Sequence, residues 1–190
     1  MGAILADDTD LMRAHVAGDA QAYARLYDRH EHACFLFIRR MLGDADAAED
    51  VHQETWMAVA RGAGDFDPQI ACFRAWLFGI ARRKVFDYFR RQKLVPLTSG
   101  QNDMALLVPD PGPTPLEHAQ TRELAEKLVA AVEALPLEQR GAFVMFAQAG
   151  LSLEEIAQVT DVPVETAKSR LRYARARLRQ ALADERPTHV

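Results

Sequence analysis

Five prolines, Pro96, Pro109, Pro111, Pro113 and Pro115, fall within a stretch where a helix would have to run unbroken to join the two halves of the chain. Proline lacks the amide proton and clashes with the preceding turn, so this stretch is excluded from helix. Gly100 and Gly112 loosen it further. The segment from about Leu94 to Pro115 therefore predicts an extended, semi-stiff and flexible linker between two separately folded blocks. It carries Val95, Leu97, Met104, Leu106, Leu107 and Val108, more apolar surface than a free tether needs, so part of it is expected to lie on another surface.

The residues before it read as helix throughout. Tyr23, Leu26, Tyr27, His30, Cys34, Phe37, Ile38 and Met41 recur at spacings of three and four, which predicts a helix from an Asp19 N-cap to about Leu42, ended by Gly43. Asp46 and Glu49 have capping-box spacing and predict a second helix to about Arg61, stopped by Gly62 and Gly64. A third is expected from about Ala71 to Lys93, and a short one from about Asp10 to Val16 precedes them all. After the linker the pattern predicts helices at about Pro115–Glu133, Pro136–Gly150, Leu153–Thr160 and Val164–Asp184. The expected architecture is all-α. It comprises an N-terminal helical bundle over residues 8–93, a linker over 94–115 and a C-terminal helix-turn-helix domain over 116–184.

Charge placement says more than the net value of −4. From Leu94 to Gln120 there are three acidic residues and no basic ones, whereas Lys168 to Arg179 holds six basic residues and no acid. A near-neutral chain with one local basic stripe suits site-specific DNA contact better than indiscriminate coating. The stripe lies on the second helix of a recognisable unit. Ser152 is placed to cap the first helix, Ala157 is small enough for a close crossing, and Asp161 stands where the turn requires a left-handed backbone. Val162, Ala167 and Leu171 are expected to fill the core beneath. A solvated basic face alone would explain the charges but not this turn. Thr166, Lys168, Ser169, Arg170, Arg172, Tyr173 and Arg175 are then the candidates for reading base edges and phosphates from the major groove.

Two further surfaces stand out. Glu49/Gln53 and Asp50/Glu54 are i, i+4 neighbours, forming an acidic ridge whose internal repulsion favours a basic partner. On the helix at 71–93, Phe73, Leu77, Ile80, Ala81 and Tyr88 trace an apolar stripe. Arg74, Arg82, Arg83, Lys84, Arg90, Arg91 and Lys93 are interleaved with Trp76, Phe78, Phe86 and Phe89. Cations that track a backbone and aromatics that stack on bases are what capture of single strands requires. Trp76 admits both core packing and stacking, and its size favours the core.

Three segments resemble the extracytoplasmic-function (ECF) sigma factors of the sigma-70 family. Ala48-Glu-Asp-Val-His-Gln-Glu-Thr-Trp is similar to the family's region 2 helix, and Phe73-Arg-Ala-Trp-Leu-Phe-Gly-Ile-Ala-Arg-Arg to the helix that follows it. Ala134-Leu-Pro-Leu-Glu-Gln-Arg, Gly150-Leu-Ser-Leu-Glu-Glu-Ile-Ala and Thr166-Ala-Lys-Ser-Arg-Leu resemble region 4. The resemblance implies a transcription initiation subunit. Glu49, Asp50, Gln53 and Glu54 would dock on the clamp helices of the largest subunit of core RNA polymerase, and the C-terminal domain on its flap. Trp76, Phe78, Arg82, Arg83, Lys84, Asp87, Arg90 and Arg91 would open and hold the −10 element, with the loop Asp65–Ile70 setting its specificity. The recognition helix would read the −35 element. Arg83 departs from the family, which commonly has Asn there. An anti-sigma factor is the regulator the resemblance implies.

Other classes fit poorly. There is no phosphate-cradling Gly-rich loop, no metal-spaced His/Cys cluster and no Ser/His/Asp set, so neither catalysis, a metal nor a cofactor is expected. A ligand-sensing activator would not need the acidic ridge, and an anti-sigma or adaptor protein would not need the basic helix. No apolar run approaches the ~20 residues of a membrane span, and the start lacks the basic n-region of a secretory signal. A cytoplasmic protein is expected, with Cys34 and Cys72 as buried, reduced thiols.

Overall fold

The computed structural model describes residues 6–92 and 115–183. Of the linker expected over 94–115, residues 94–114 lie outside them and Pro115 begins a helix; Lys93 and Asp184 also lie outside. Within the described residues there are eight α-helices, one 3₁₀ turn and no strand. They are α1 (Asp8–Val16), α2 (Ala20–Leu42), α3 (Ala45–Arg61), α4 (Phe73–Arg91), α5 (Pro115–Glu133), α6 (Leu137–Ala147), α7 (Leu153–Thr160) and α8 (Val164–Ala183), with the 3₁₀ turn at Ala63–Asp65.

The helix starts follow from side chains that satisfy orphan amides. The Asp19 carboxylate accepts from the amides of Gln21 and Ala22 at 2.8 and 3.3 Å, and Gly43 closes α2 in the left-handed region at φ 77°. At α3 the cap is Asp44 rather than Asp46. Its carboxylate takes the Ala47 amide at 2.8 Å, so the helix starts earlier and Asp46 falls inside the first turn, where its charge still meets the positive end of the helix dipole. Asp7 likewise starts α1 two residues before the expected position. At α7 the capping box is complete: the Ser152 hydroxyl accepts from the Glu155 amide at 3.1 Å, and the Ser152 amide donates to the Glu155 carboxylate at 2.7 Å.

Helices α1 to α4 bury Leu11, Met12, Leu26, Phe37, Ile38, Val51, Val59, Phe73 and Leu77 in a common interior. The helices that follow bury Leu135, Val144, Met145, Leu151, Ile156, Leu171 and Leu178. The two interiors run together, because α2 packs on α6 and α4 packs on α7. Arg140 ties this junction. Its guanidinium, 8% exposed, donates to the carbonyls of Glu133 and Leu135 at the end of α5. It also donates to those of Arg40 and Met41 at the end of α2. Helix C-termini leave four carbonyls without partners, and one forked cation here serves two such ends. The separate blocks read from the sequence are thus in direct contact.

Half-buried polar contacts orient Trp56 on α3 and tie α3 to α2. The Trp56 indole donates to His52 Nε2 at 2.9 Å, and the Tyr23 hydroxyl donates to the Trp56 carbonyl at 2.8 Å. Burial holds the His52 imidazole below its ordinary value, against a smaller opposing pull from Glu31. Because the folded value lies below the unfolded one, this site favours folding fully above about pH 6.5 and progressively less below it. We expect the wild-type chain to lose stability between pH 7 and pH 5.5 in urea titrations. His52→Gln should flatten that slope.

Candidate nucleic-acid and polymerase interfaces

The C-terminal unit has the expected crossing geometry. Asp161 sits in the left-handed region at φ 52°, and the amide of Val162 reaches back to the Ala157 carbonyl at 3.0 Å. Ala157 is 5% exposed at the crossing. Helix α8 then buries Ala167, Leu171, Ala174 and Leu178, spacings of four, three and four that commit one face inward. What remains outward is set by that choice. Thr166, Lys168, Arg172, Tyr173 and Arg175 are exposed, and Ser169 is half-buried at the edge. The Arg172 guanidinium lies over the Tyr173 ring at 5.1 Å, and Arg175 lies over Phe146 of α6 at 4.7 Å. Arg170 is the exception among the recognition candidates. It turns toward α6 and pairs with Glu138 at 3.0 Å.

Helix α4 divides its candidates among three directions. Trp76, Arg82, Arg83 and Arg90 line one groove with Ile70, Ala71, Ala75, Gly79 and Phe86, whose far wall is Gln158 and Val159 of α7. Arg82 stacks on Phe86 at 4.5 Å, and Trp76 rests against Phe66 and Phe73 at 5.4 and 6.1 Å with its outer part on the groove. Lys84 and Arg91 point instead toward α3, where both reach Glu54, at 3.4 and 3.2 Å. Asp87 is held in a close ion pair with Arg90. Phe78 belongs to neither direction: it is 0% exposed, with its ring edge-on to Phe37 at 5.3 Å. The expectation that Phe78 meets DNA is therefore corrected to a core role. Helix α4 is gripped by α2 and α3 on one side and α7 on the other, so its buried arc is wider than one stripe.

On α3 the inward residues are Ala47, Ala48, Val51, Thr55, Trp56 and Val59, leaving Glu49, Asp50 and Gln53 exposed along the opposite face. Glu54 is half-buried and already neutralised by Lys84 and Arg91, so it braces α3 against α4 as much as it extends the ridge. Met57, 49% exposed, continues the face one turn beyond Gln53. The sequence reading missed it, although its i+4 position was a sufficient signal.

The loop before α4 is the other part of the site. Phe66 packs on Phe73 and Trp76, the Asp67 carboxylate accepts from the Gln69 amide at 2.8 Å, and Ile70 is 70% exposed. A cavity of about 350 Å³ lies between this loop and α1, lined by Thr9, Met12, Val16, Phe66, Asp67 and Pro68. Cys72 corrects a second expectation. Cys34 is buried, and burial raises its thiol far above the ordinary range, but Cys72 is exposed. It is polar enough to cap α4 weakly, accepting from the Ala75 amide at 3.4 Å while its thiol donates to Glu155 of α7 at 2.8 Å. No group of His, Cys, Asp and Glu among the described residues is placed to hold a metal ion. No described helix is long and apolar enough to cross a membrane.

Comparison with known proteins places both halves. Residues 26–95 match the family model for sigma-70 region 2, and residues 125–178 match that for sigma-70 region 4. The chain is 33% identical to the ECF RNA polymerase sigma factor SigM of Mycobacterium tuberculosis over 175 residues, covering 92% of this chain and 84% of that protein. It is 30% identical to SigW of Bacillus subtilis over 174 residues, covering 88% and 92%. Among solved structures, CnrH in complex with the cytosolic domain of CnrY aligns with a TM-score of 0.70 at 28% identity, covering 95% of this chain and 99% of that one. The sigma factor RpoE of Bartonella quintana, solved with the anti-sigma factor NepR, shares the fold at a TM-score of 0.69 and 23% identity, covering 88% and 100%. Helices, turn and matched segments agree on one assignment: this chain belongs to the ECF group of sigma-70 family RNA polymerase sigma factors.

Proposed function

We propose that the chain binds core RNA polymerase through the outer face of α3 and directs promoter-specific initiation, reading the −35 element with α8 and capturing the opened −10 strand along α4. The observation that carries this reading is the sorting of α8. Ala167, Leu171, Ala174 and Leu178 face inward, and Lys168, Arg172, Tyr173 and Arg175 are left to present a cationic and aromatic front. Arginine and lysine at such positions bond guanine edges bidentately and fix register on phosphates. Within the −10 candidates, the Arg82, Arg83 and Arg90 set with Trp76 supports strand capture, with cations beside a stacking surface. Lys84 and Arg91 support it only indirectly, by fixing α4 on α3.

Two weak specificities fixed on one polymerase gain through effective concentration, so neither domain needs high affinity alone. The protein would work in the cytoplasm as an initiation factor rather than as an enzyme. Control by an anti-sigma factor, which the resemblance to the ECF family implies, is the proposed regulation.

The test is runoff transcription with reconstituted holoenzyme on a cognate promoter mapped by start-site sequencing. Lys168→Ala or Arg172→Ala is expected to lower −35-dependent initiation roughly tenfold, the size of one lost base or phosphate contact. Co-elution with core polymerase should be unchanged. Initiation that is indifferent to both substitutions would remove α8 from promoter reading.

A further inference from the structure

Helix α6 buries Arg140, Gly141, Ala142, Val144 and Met145, yet the next residue, Phe146, keeps 37% of its surface exposed. That ring lies under the guanidinium of Arg175 on α8, at 4.7 Å from centroid to guanidinium carbon. The contact joins two helices that already pack on each other, so α6 steadies one side of a long side chain. Arg175 is itself exposed and shares a face of α8 with Lys168 and Arg172, at spacings of four and three.

The kind of partner matters. Three α8 arginines are held in different ways. Arg170 gives its guanidinium to the Glu138 carboxylate at 3.0 Å, which offsets its charge and occupies its donors. Arg172 lies over Tyr173, a ring that moves with its own helix. Arg175 lies over a ring carried by another helix. A ring face attracts a cation through its quadrupole and leaves the charge and most of the N–H donors to other acceptors. A guanidinium held in this way is oriented without being neutralised. It also has less rotamer freedom left to lose when an anion is bound.

The position of Arg175 along α8 selects the anion. At 1.5 Å per residue it stands about 10 Å beyond Lys168 along the helix axis. Recognition helices meet base edges with their N-terminal residues, and the major groove is only about 12 Å wide. A cation so far along the helix is placed for the sugar-phosphate wall rather than for the floor of the groove. We propose that Phe146 is a positioning residue for promoter binding, holding Arg175 toward a phosphate of the −35 duplex and so fixing how α8 sits in the groove. The proposal rests on the reading of α8 as the −35 recognition helix.

The test uses holoenzyme reconstituted from the full chain and a fluorescein-labelled duplex of the promoter mapped by start-site sequencing. Anisotropy reads affinity across a series of salt concentrations. Phe146→Leu keeps an apolar side chain on α6 and removes the π face, whereas Phe146→Tyr keeps the face. Arg175→Ala is expected to weaken binding about tenfold and to lower the salt slope by about one. Phe146→Leu should weaken it about threefold, with part of the same drop in slope, and Phe146→Tyr should bind close to wild type. The double variant Phe146→Leu, Arg175→Ala should bind no worse than Arg175→Ala alone, because the ring acts through the arginine. A merely structural role for the ring would produce neither the change in slope nor this non-additivity. Wild-type binding by Phe146→Leu, or losses that multiply in the double variant, overturns the positioning role. If Arg175→Ala binds as wild type while Lys168→Ala is weakened, the positioning role falls and the reading of α8 stands. If neither is weakened, the reading of α8 falls with it.

Discussion

Phe78→Ala is expected to destabilise the chain by about 3–5 kcal/mol, the usual range for truncating a fully buried phenylalanine. The ring has no solvent exposure and meets Phe37 edge to face, a geometry that adds to plain burial. Its neighbours on the buried arc of α4, Ala75, Ala81 and Val85, are too small to collapse into the space left behind. At the specific entropies of domains this size the melting temperature should fall by about 10 °C. Urea unfolding monitored by tryptophan fluorescence measures it. Trp76→Ala is the informative companion. That ring is half-buried beside Phe66 and lines the groove, so it should cost less stability and more strand binding. A small stability loss in Phe78→Ala combined with lost DNA binding would reverse the roles assigned to the two aromatics.

Arg140→Ala is expected to cost about 3 kcal/mol, through buried carbonyls left without donors. Glu133, Leu135, Arg40 and Met41 all lend their carbonyl oxygens to one guanidinium, and water has little access to a site where the side chain is 8% exposed. Burial pulls its pKa below the ordinary value and Glu133 partly restores it. The range of arginine titration is so high that the group stays charged near neutrality. Arg140→Lys should rescue little, because a lysine offers a point charge rather than a fork able to span two helix ends. Two of the four carbonyls belong to α2 and two to the end of α5 and the turn after it, so loss of Arg140 should also loosen the N-terminal bundle from α6. Thermal melts followed by small-angle scattering separate the two effects. A variant with wild-type stability would mean that the carbonyls find other partners.

Much of this was legible before the fold was known. Asp19, Ser152 and Asp161 act locally, within four residues of what they satisfy, so sequence spacing sufficed to place them, although it did not show that Glu155 completes the cap at Ser152. The inward face of α8 was legible for the same reason. Where two local candidates competed, spacing alone failed: Asp44 and Asp46 are both good caps, and only the backbone decides between them. Phe78 was misplaced because a single apolar stripe was assumed for a helix that is buried on two sides. Cys72 reads as a buried thiol in the sequence because nothing in its neighbours shows that Glu155, 83 residues away, would meet it. The contacts of Glu138 with Arg82 and Arg170, and of Arg140 with the end of α2, are likewise long-range. Residue types alone do not reveal them.

In the proposed function the exposed face of α3 docks the chain on polymerase. Glu54 is a poor probe of it, because its carboxylate already serves Lys84 and Arg91. Glu49 and Asp50 are exposed and face away from the bundle, so charge reversal there should leave the fold intact. Size-exclusion chromatography with purified core RNA polymerase is the direct measurement. The wild-type chain is expected to co-elute with core, and the Glu49→Arg, Asp50→Arg double variant to elute alone while keeping its helical circular dichroism spectrum. A wild-type chain that fails to co-elute, or a double variant that co-elutes as well as wild type, would contradict it.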